Sequence, residues 1–168
     1  MKIIPKGREL DCSLADTNSP IVIDGDGHIA GRLCSNISKM LLNGQRVVII
    51  NAEKILISGS RKSIFFENTK RLEIGSIVNP KHGPFHPRRP DTYITKMIRG
   101  MLPRKKTTGI QAKKRLRVYI SVPAEYEKIQ SISVKNAKAT KSLSYYTTIG
   151  ELSSSTMGWK NQLEIKKI

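Results

Sequence analysis

The segment IVIDGDGHIAGRLCSNISKMLLNGQRVVII, residues 21–50, contains the clearest secondary-structure pattern of the chain. It begins with the apolar run Ile21–Ile23, which predicts a β-strand that ends at the turn residues Asp24–Gly27. Apolar side chains then recur at helical spacing from Ile29 to Leu41. The pair Asn43-Gly44 follows this predicted helix directly, as a C-terminal cap does.

The next element is a run of four β-branched residues, Val47–Ile50. Because apolar and polar residues do not alternate in it, both faces of this predicted strand should be covered, as in a parallel sheet. Strand, helix and strand within 30 residues form one right-handed crossover unit. A further apolar run, Ile55–Ile57, precedes a predicted helix over residues 60–74 with Ile64, Phe65 and Leu72 facing inward.

The remaining pattern supports the same architecture. Asp91 or Thr92 can cap a helix that carries an apolar stripe and that Pro103 stops. The run Arg117–Ile120 reads as another strand, and Thr148 with a glutamate three positions later forms a capping box. Alternating strands and helices predict an α/β protein, a three-layer α/β/α fold with a small, mostly parallel central sheet plus basic loops and irregular termini.

One domain is expected for 168 residues. We divide the chain into three parts: an extended N-terminal arm, an α/β core with two basic loops, and a C-terminal extension with one short helix. Their predicted bounds are 1–19 for the arm, 20–127 for the core with loops 75–90 and 102–109, and 128–168 for the extension with its helix near 148–157.

Charge is the strongest functional signal. The chain has 30 Lys and Arg against 13 Asp and Glu, a formal net charge of +17. Between Lys81 and Arg117 there are twelve basic residues, and Asp91 is the single acidic one. Because like charges this close together repel one another, the pattern indicates an external polyanion that neutralises them. A nucleic-acid backbone fits best.

The first of the two basic loops is unusually long. Four prolines, two glycines and two histidines lie within residues 75–90, and the loop ends in GPFHPRRP. Pro87 and Pro90 restrict the backbone on both sides of Arg88 and Arg89, which lowers the entropy lost when the guanidinium groups engage phosphates. The alternative interpretation is an ordinary solvated basic loop, which would not require a rigid backbone around the arginine pair.

An enzyme-like alternative comes from Gly25–Ala30, which matches the G-x-G-x-x-A fingerprint between a strand and a helix. Glu53 lies where a ribose-binding acid would be expected. Against this interpretation, Asp26 would repel the pyrophosphate that a helix N-terminus attracts. No catalytic constellation, no cofactor and no metal site is expected, since His28, His82 and His86 have no ligand spacing.

The two cysteines, Cys12 and Cys34, form no disulfide or zinc framework, which is typical of a reducing compartment. The first ten residues lack the apolar run of a signal peptide, and no apolar stretch reaches 18 residues. The sequence therefore predicts a protein without a membrane partner or a small-molecule substrate.

Taken together, three segments resemble the L-thirteen family of large-subunit ribosomal proteins, in its archaeal and eukaryotic cytosolic branch. They are DGDGHIAGRLCSNISKMLLNGQRVVIINAEKILISGS from Asp24, GPFHPRRP from Gly83, and RGMLPRKKTTGIQAKKRLRVYISVPAEY from Arg99. The resemblance covers residues 20–127 and resumes weakly at YYTTIGELSSSTMGW from Tyr145. It implies a structural, non-catalytic constituent of the cytosolic large subunit, with rRNA and neighbouring ribosomal proteins as partners.

The family's RNA-facing loops correspond to Gly83–Pro90 and Leu102–Gly109, the segments that charge also selects. We predict phosphate contacts from arginines and lysines, and stacking from two histidines and a phenylalanine. The predicted RNA-binding set is Lys81, His82, Phe85, His86, Arg88, Arg89, Lys96, Arg99, Arg104, Lys105, Lys106, Lys113 and Lys114. A dinucleotide-dependent enzyme and a free RNA-binding regulator remain as alternatives at this point.

Overall fold

A computed structural model describes residues 19–160, so the predicted N-terminal arm, with Cys12, and the end of the C-terminal extension lie almost entirely outside it. The described helices and strands follow the order β1 (Ile21–Asp24), α1 (Ala30–Leu42), β2 (Val47–Ile50), β3 (Leu56–Ser58), α2 (Arg61–Glu73), α3 (Pro90–Met101), α4 (Thr107–Lys114), β4 (Leu116–Val118), β5 (Tyr146–Thr148) and α5 (Ile149–Met157).

The central sheet has three strands in the order β1-β2-β4, and both pairings are parallel. All four residues of β2 are buried, as its unbroken apolar run predicts. Gly44, with φ of 92°, follows the last turn of α1 at the predicted cap. The crossover unit and the α/β class with a small, mostly parallel sheet are confirmed.

The two faces of this sheet are covered differently. Ile23 and Ile49 belong to the main core, which helices α1, α3 and α4 cover. On the opposite face, Val22 and Val48 pack against tyrosines of the irregular segment 119–126 rather than against a helix. Among residues 19–160, this second face is therefore covered by an irregular segment and not by a helix.

A second, two-stranded sheet joins the middle of the chain to its C-terminal part. Strand β3 pairs antiparallel with β5, and α2 packs against α5 through Ile64, Leu152 and Met157. Thr148 Oγ1 accepts a hydrogen bond of 3.1 Å from the Glu151 amide, which confirms the predicted N-cap. None of the helices in the described range is long and apolar enough to cross a lipid bilayer.

Three predicted boundaries differ from the structure. Helix α3 begins at Pro90, with Arg89 as its N-cap, because proline at the first position already has a helical φ. Helix α4 begins at Thr107, so its first turn takes up the end of the predicted loop 102–109. Strand β4 ends at Val118 rather than at residue 120, since the chain turns away at Ser121, where φ is 63°.

Candidate nucleic-acid interface

The first basic loop, defined here as residues 75–89, connects α2 to α3. Its one short 3-10 turn is Pro80–His82, and Pro87 and Pro90 are both buried at its C-terminal end. Arg88 and Arg89 lie between these buried prolines and are exposed. Two prolines fixed in the protein interior thus hold the arginine pair at the surface.

The two arginines differ in what they contact. Arg89 donates from Nε to Asp91 Oδ1 at 3.2 Å and from Nη2 to Asp91 Oδ2 at 3.1 Å. Arg88 has no hydrogen bond or ion pair with any residue between 19 and 160. All five N–H donors of Arg88 are therefore available to a partner, whereas two donors of Arg89 already bind the Asp91 carboxylate.

Lys96 of α3 ties the loop to the helix. Its Nζ donates a hydrogen bond of 2.8 Å to the backbone carbonyl of Phe85. Phe85 itself is 86% exposed. An aromatic ring held by its backbone and left in solvent is suited to stacking on an unpaired base.

The second basic loop is shorter than predicted and comprises Leu102–Lys106. Leu102 is buried in the core, and the Lys106 amide donates to the Pro103 carbonyl at 3.1 Å. Gly109 of α4 lies so close that a Cβ there would overlap the same carbonyl oxygen. This close approach fixes the loop against α4, while Arg104, Lys105 and Lys106 are exposed.

The two basic loops lie at opposite ends of α3. A helix of twelve residues is about 18 Å long. Lys96 and Arg99 are exposed along it, and Lys113 and Lys114 are exposed on α4. A single small anion cannot reach both ends of such a surface, so the arrangement suits an extended polyanion.

Two other arginines of the basic stretch have structural contacts. Arg115 Nη1 donates to the Leu41 carbonyl at 3.2 Å, near the end of α1, where backbone carbonyls lack helical partners. Arg117 Nη1 donates to the Leu116 carbonyl at 3.0 Å. These guanidinium groups hold the backbone of the scaffold rather than extending from it.

The Gly25–Ala30 turn, by contrast, is closed by the chain itself. The Ile29 amide, at the start of α1, donates to the Ala137 carbonyl at 2.8 Å, and the Ala139 amide donates to the Gly27 carbonyl at 3.0 Å. The segment 132–139, which we call the closing segment, thus covers the end of the helix that a pyrophosphate would need. Glu53 does not face a ribose site, because its Oε2 accepts the Ser121 amide at 3.0 Å. The dinucleotide-binding interpretation is wrong.

His28 links this turn to the closing segment. Its Nε2 accepts a hydrogen bond of 3.0 Å from the Val134 amide, so the proton lies on Nδ1, which donates to the Asp26 carbonyl at 2.8 Å. The side chain is 1% exposed, and burial lowers the pKa of His28 below its ordinary value of 6.5. His28 is therefore a neutral structural residue. No sequence pattern indicates its partner, which lies 106 residues away.

Cys34 and the two remaining histidines lie at separate places in the structure. Among residues 19–160, no group of three or more His, Cys, Asp or Glu side chains could hold a metal ion. Cys34 is buried in the core, where burial raises the pKa of its thiol to about 12. His82 is exposed on the first basic loop, and His86 is half-buried where that loop meets α2 and α3.

One basic residue that the sequence did not assign to the interface lies beside it. Arg71 of α2 is exposed and lines the same cleft as His86 and Lys96. It precedes the basic stretch in the sequence and is on a helix of mixed charge, so local charge density could not select it.

The fold and this surface define a class: a small α/β protein that presents cationic loops at both ends of one helix and has no catalytic centre assembled among the described residues. The family model for Ribosomal protein L13 matches residues 18–125. This chain is 44% identical over 133 residues to the large ribosomal subunit protein uL13 of Methanococcoides burtonii, which covers 79% of this chain and 94% of that protein.

Other relatives have the same description. The uL13 protein of Archaeoglobus fulgidus is 40% identical over 137 residues, covering 79% of this chain and 84% of the relative. That of Caenorhabditis elegans is 36% identical over 154 residues, covering 90% of this chain and 76% of the relative. The chain belongs to the ribosomal protein L13 family, which confirms the resemblance drawn from its motifs.

Proposed function

We propose that this protein is a structural constituent of the large ribosomal subunit in the cytosol, and that it binds large-subunit rRNA through its two basic loops. Its curated relatives are named as large ribosomal subunit proteins, and the family is structural rather than enzymatic. The observation that carries the proposed interface is the exposure of cationic side chains at both ends of α3, with Asp91 the one acidic residue in that stretch.

The predicted RNA-binding residues take three roles in this proposal. Arg88, with Arg104, Lys105 and Lys106, contacts phosphates and sugars, and Arg89 joins when it exchanges Asp91 for a phosphate. Phe85, His82 and His86 stack on unpaired bases. Lys81, Lys96, Arg99, Lys113 and Lys114 supply the surrounding positive surface. Recognition by shape and backbone should dominate, because arginines and lysines on loops fix position rather than read sequence.

The domain plan follows from the same reasoning. Residues 20–127 act as the rigid carrier of both loops, while the arm at 1–19 and the extension at 128–168 meet rRNA or neighbouring large-subunit proteins.

The test is assembly into particles. A tagged full-length chain should sediment with large subunits and resist a moderate salt wash, whereas a free RNA-binding regulator would remain near the top of the gradient. Replacing Arg88 and Arg89 together by Ala should weaken rRNA binding, and should reduce the slope of log affinity against log salt by about one for each lost phosphate contact.

A matched control removes the same charge elsewhere. Lys39 and Lys54 are exposed outside the proposed interface, so the double variant Lys39→Ala, Lys54→Ala should change the salt slope much less. If the slope of log affinity against log salt is the same for the arginine variant and the unmodified protein, the arginine pair is not part of the interface.

A further inference from the structure

A cleft of about 280 Å³ lies between α2, α3 and the end of the first basic loop. Its apolar surface comes from Leu72, Met97 and Met157, which belong to three different helices. Two exposed cations, Arg71 and Lys96, also line it. None of the lining residues is acidic, so the cleft suits a ligand that combines an apolar face with negative charge.

The polar side chains in the cleft have unused hydrogen-bonding capacity. Neither ring nitrogen of His86 has a hydrogen-bond partner in the described structure, although both are shielded from solvent. An unpaired buried donor costs about 1–3 kcal/mol. Asn68 uses its Nδ2 to donate to the Ile64 carbonyl at 2.9 Å, while its Oδ1 accepts no hydrogen bond within the described range. Both of these side chains line the cleft.

We propose that this cleft receives one unstacked nucleotide of the bound RNA, with its base between Met97 and Met157 and its phosphate against Arg71 and Lys96. The proposal rests on the proposed function. His86 and Pro87 line the cleft and continue directly into Arg88 and Arg89, so a strand whose phosphates engage those arginines passes the mouth of the cleft.

Size and chemistry favour a base over a protein side chain as the occupant. The volume lies just under the range of about 300–1,000 Å³ typical of small-molecule sites, which suits a fragment as small as a single base. Methionine sulfur makes favourable contacts with aromatic rings, and the edge of a base carries both donors and acceptors for Asn68 and His86. An aliphatic side chain would use neither the cations nor the free polar atoms.

The experiment uses the full chain labelled with ¹³C at the methionine methyl groups. One probe is a twelve-nucleotide oligoadenylate, and the other is a twelve-unit abasic ribose-phosphate oligomer with the same charge. The oligoadenylate should shift the methyl resonances of Met97 and Met157 through the ring current of the base, and the abasic oligomer should not. Met40, buried in the main core, serves as the internal reference.

A blocking variant sharpens the test. Leu72→Trp fills the cleft and should lower oligoadenylate affinity about tenfold, the scale of one lost base contact, without changing the affinity for the abasic oligomer. The matched control is Leu143→Trp, at a position that is 76% exposed and outside the cleft. If Leu72→Trp fails to fold, Arg71→Gln replaces it, since Arg71 is exposed, and should weaken oligoadenylate binding severalfold.

The outcomes separate this inference from the proposed function. Equal, salt-dependent binding of both oligomers, with Met97 and Met157 unmoved, would overturn the nucleotide cleft and leave the basic loops as the interface. Identical methyl shifts with both oligomers would also overturn it, because no base would be needed. If neither oligomer binds, both the loop interface and the cleft are contradicted.

Discussion

The Gly25–Ala30 turn and the first basic loop both resemble anion sites, and they are built in opposite ways. The turn has the glycine spacing and the helix start of a phosphate-binding motif, but the Ile29 amide already donates to Ala137 and the imidazole of His28 is buried. The loop matches no phosphate-binding motif, yet Arg88 is exposed with no partner in the described residues.

This difference shows that spacing along the chain specifies where donors lie, whereas distant segments determine whether those donors are free. The closing segment is more than one hundred residues away from the turn it covers. In the loop the neighbouring prolines are buried, whereas Arg88 and Arg89 are exposed and Arg88 has no partner among the described residues.

The largest effect is expected from Gly25→Ala, which tests whether the closed turn is as tight as it looks. A Cβ at Gly25 would lie 2.7 Å from Ile55 Cγ1 and 2.9 Å from the Asn51 carbonyl oxygen. We expect a loss of about 3 kcal/mol in the free energy of unfolding, measured by urea denaturation. Gly31→Ala, in α1 with open space around it, should be neutral or stabilising by up to about 1 kcal/mol. Similar stabilities for the two variants would contradict the tight turn.

An effect of similar size is expected from Gly109→Ala, which tests whether the second basic loop is rigidly held. The new methyl group would displace the Pro103 carbonyl, and with it the hydrogen bond to Lys106. We expect about 2 kcal/mol of destabilisation and weaker RNA binding at temperatures where the variant is folded. Gly100→Ala on α3 is the control, since nothing lies within 4 Å of its Cβ position. Unchanged RNA affinity in the folded Gly109 variant would show that the loop needs no fixed shape.

The third prediction separates the two arginines of the open loop. Arg88→Ala should lower rRNA affinity by about tenfold, the scale of one lost charge-assisted contact to phosphate. Arg89→Ala should lower it less, because Arg89 must first release the Asp91 carboxylate. Filter binding at several salt concentrations measures both. A larger loss for Arg89 would mean that its ion pair with Asp91 is what shapes the loop for RNA.

The smallest effect is a pH dependence from His28 in the closed turn. Because burial lowers the pKa of His28 in the folded protein, the unfolded chain binds the proton first as the pH falls below 6.5. The stability that His28 contributes is therefore complete above pH 6.5, and it is lost by at most about 1.4 kcal/mol per pH unit below it. Denaturation of the unmodified protein and of His28→Gln at pH 7.5 and 5.5 should show a shallower decline in the variant.

The control for that measurement is His82→Gln, at an exposed position on the first basic loop. This variant should retain the full pH dependence of the unmodified protein. An equally steep decline in His28→Gln would show that the closed turn does not keep its imidazole neutral.

Local patterns in the sequence predict their elements correctly. Each strand and helix of the crossover unit, the cap at Gly44 and the Thr148 N-cap follow from a pattern of neighbouring residues. The pairing of β3 with β5 could not be predicted, because each strand has three residues and nearly ninety residues separate them. The same holds for the closing segment, whose hydrogen bonds are made by backbone groups that carry no sequence signature.

Charge density in the sequence indicated two loops whose basic side chains are exposed in the structure. It could not indicate which of these side chains are free of protein partners. That Arg89 pairs with Asp91 and Arg88 does not is set by side-chain geometry at the start of α3. Charge density did not indicate Arg71, because Arg71 lies beside His86 and Lys96 in the folded structure but not in the sequence.

The position of the closing segment in the chain also sets an order of events during synthesis. Ala137 is added more than one hundred residues after Ile29, which at roughly 5–20 residues per second corresponds to a delay on the order of ten seconds. Until then the Ile29 amide at the start of α1 lacks the carbonyl that accepts its hydrogen bond in the folded protein. The turn can therefore close only after residues 132–139 have left the ribosome that is making them.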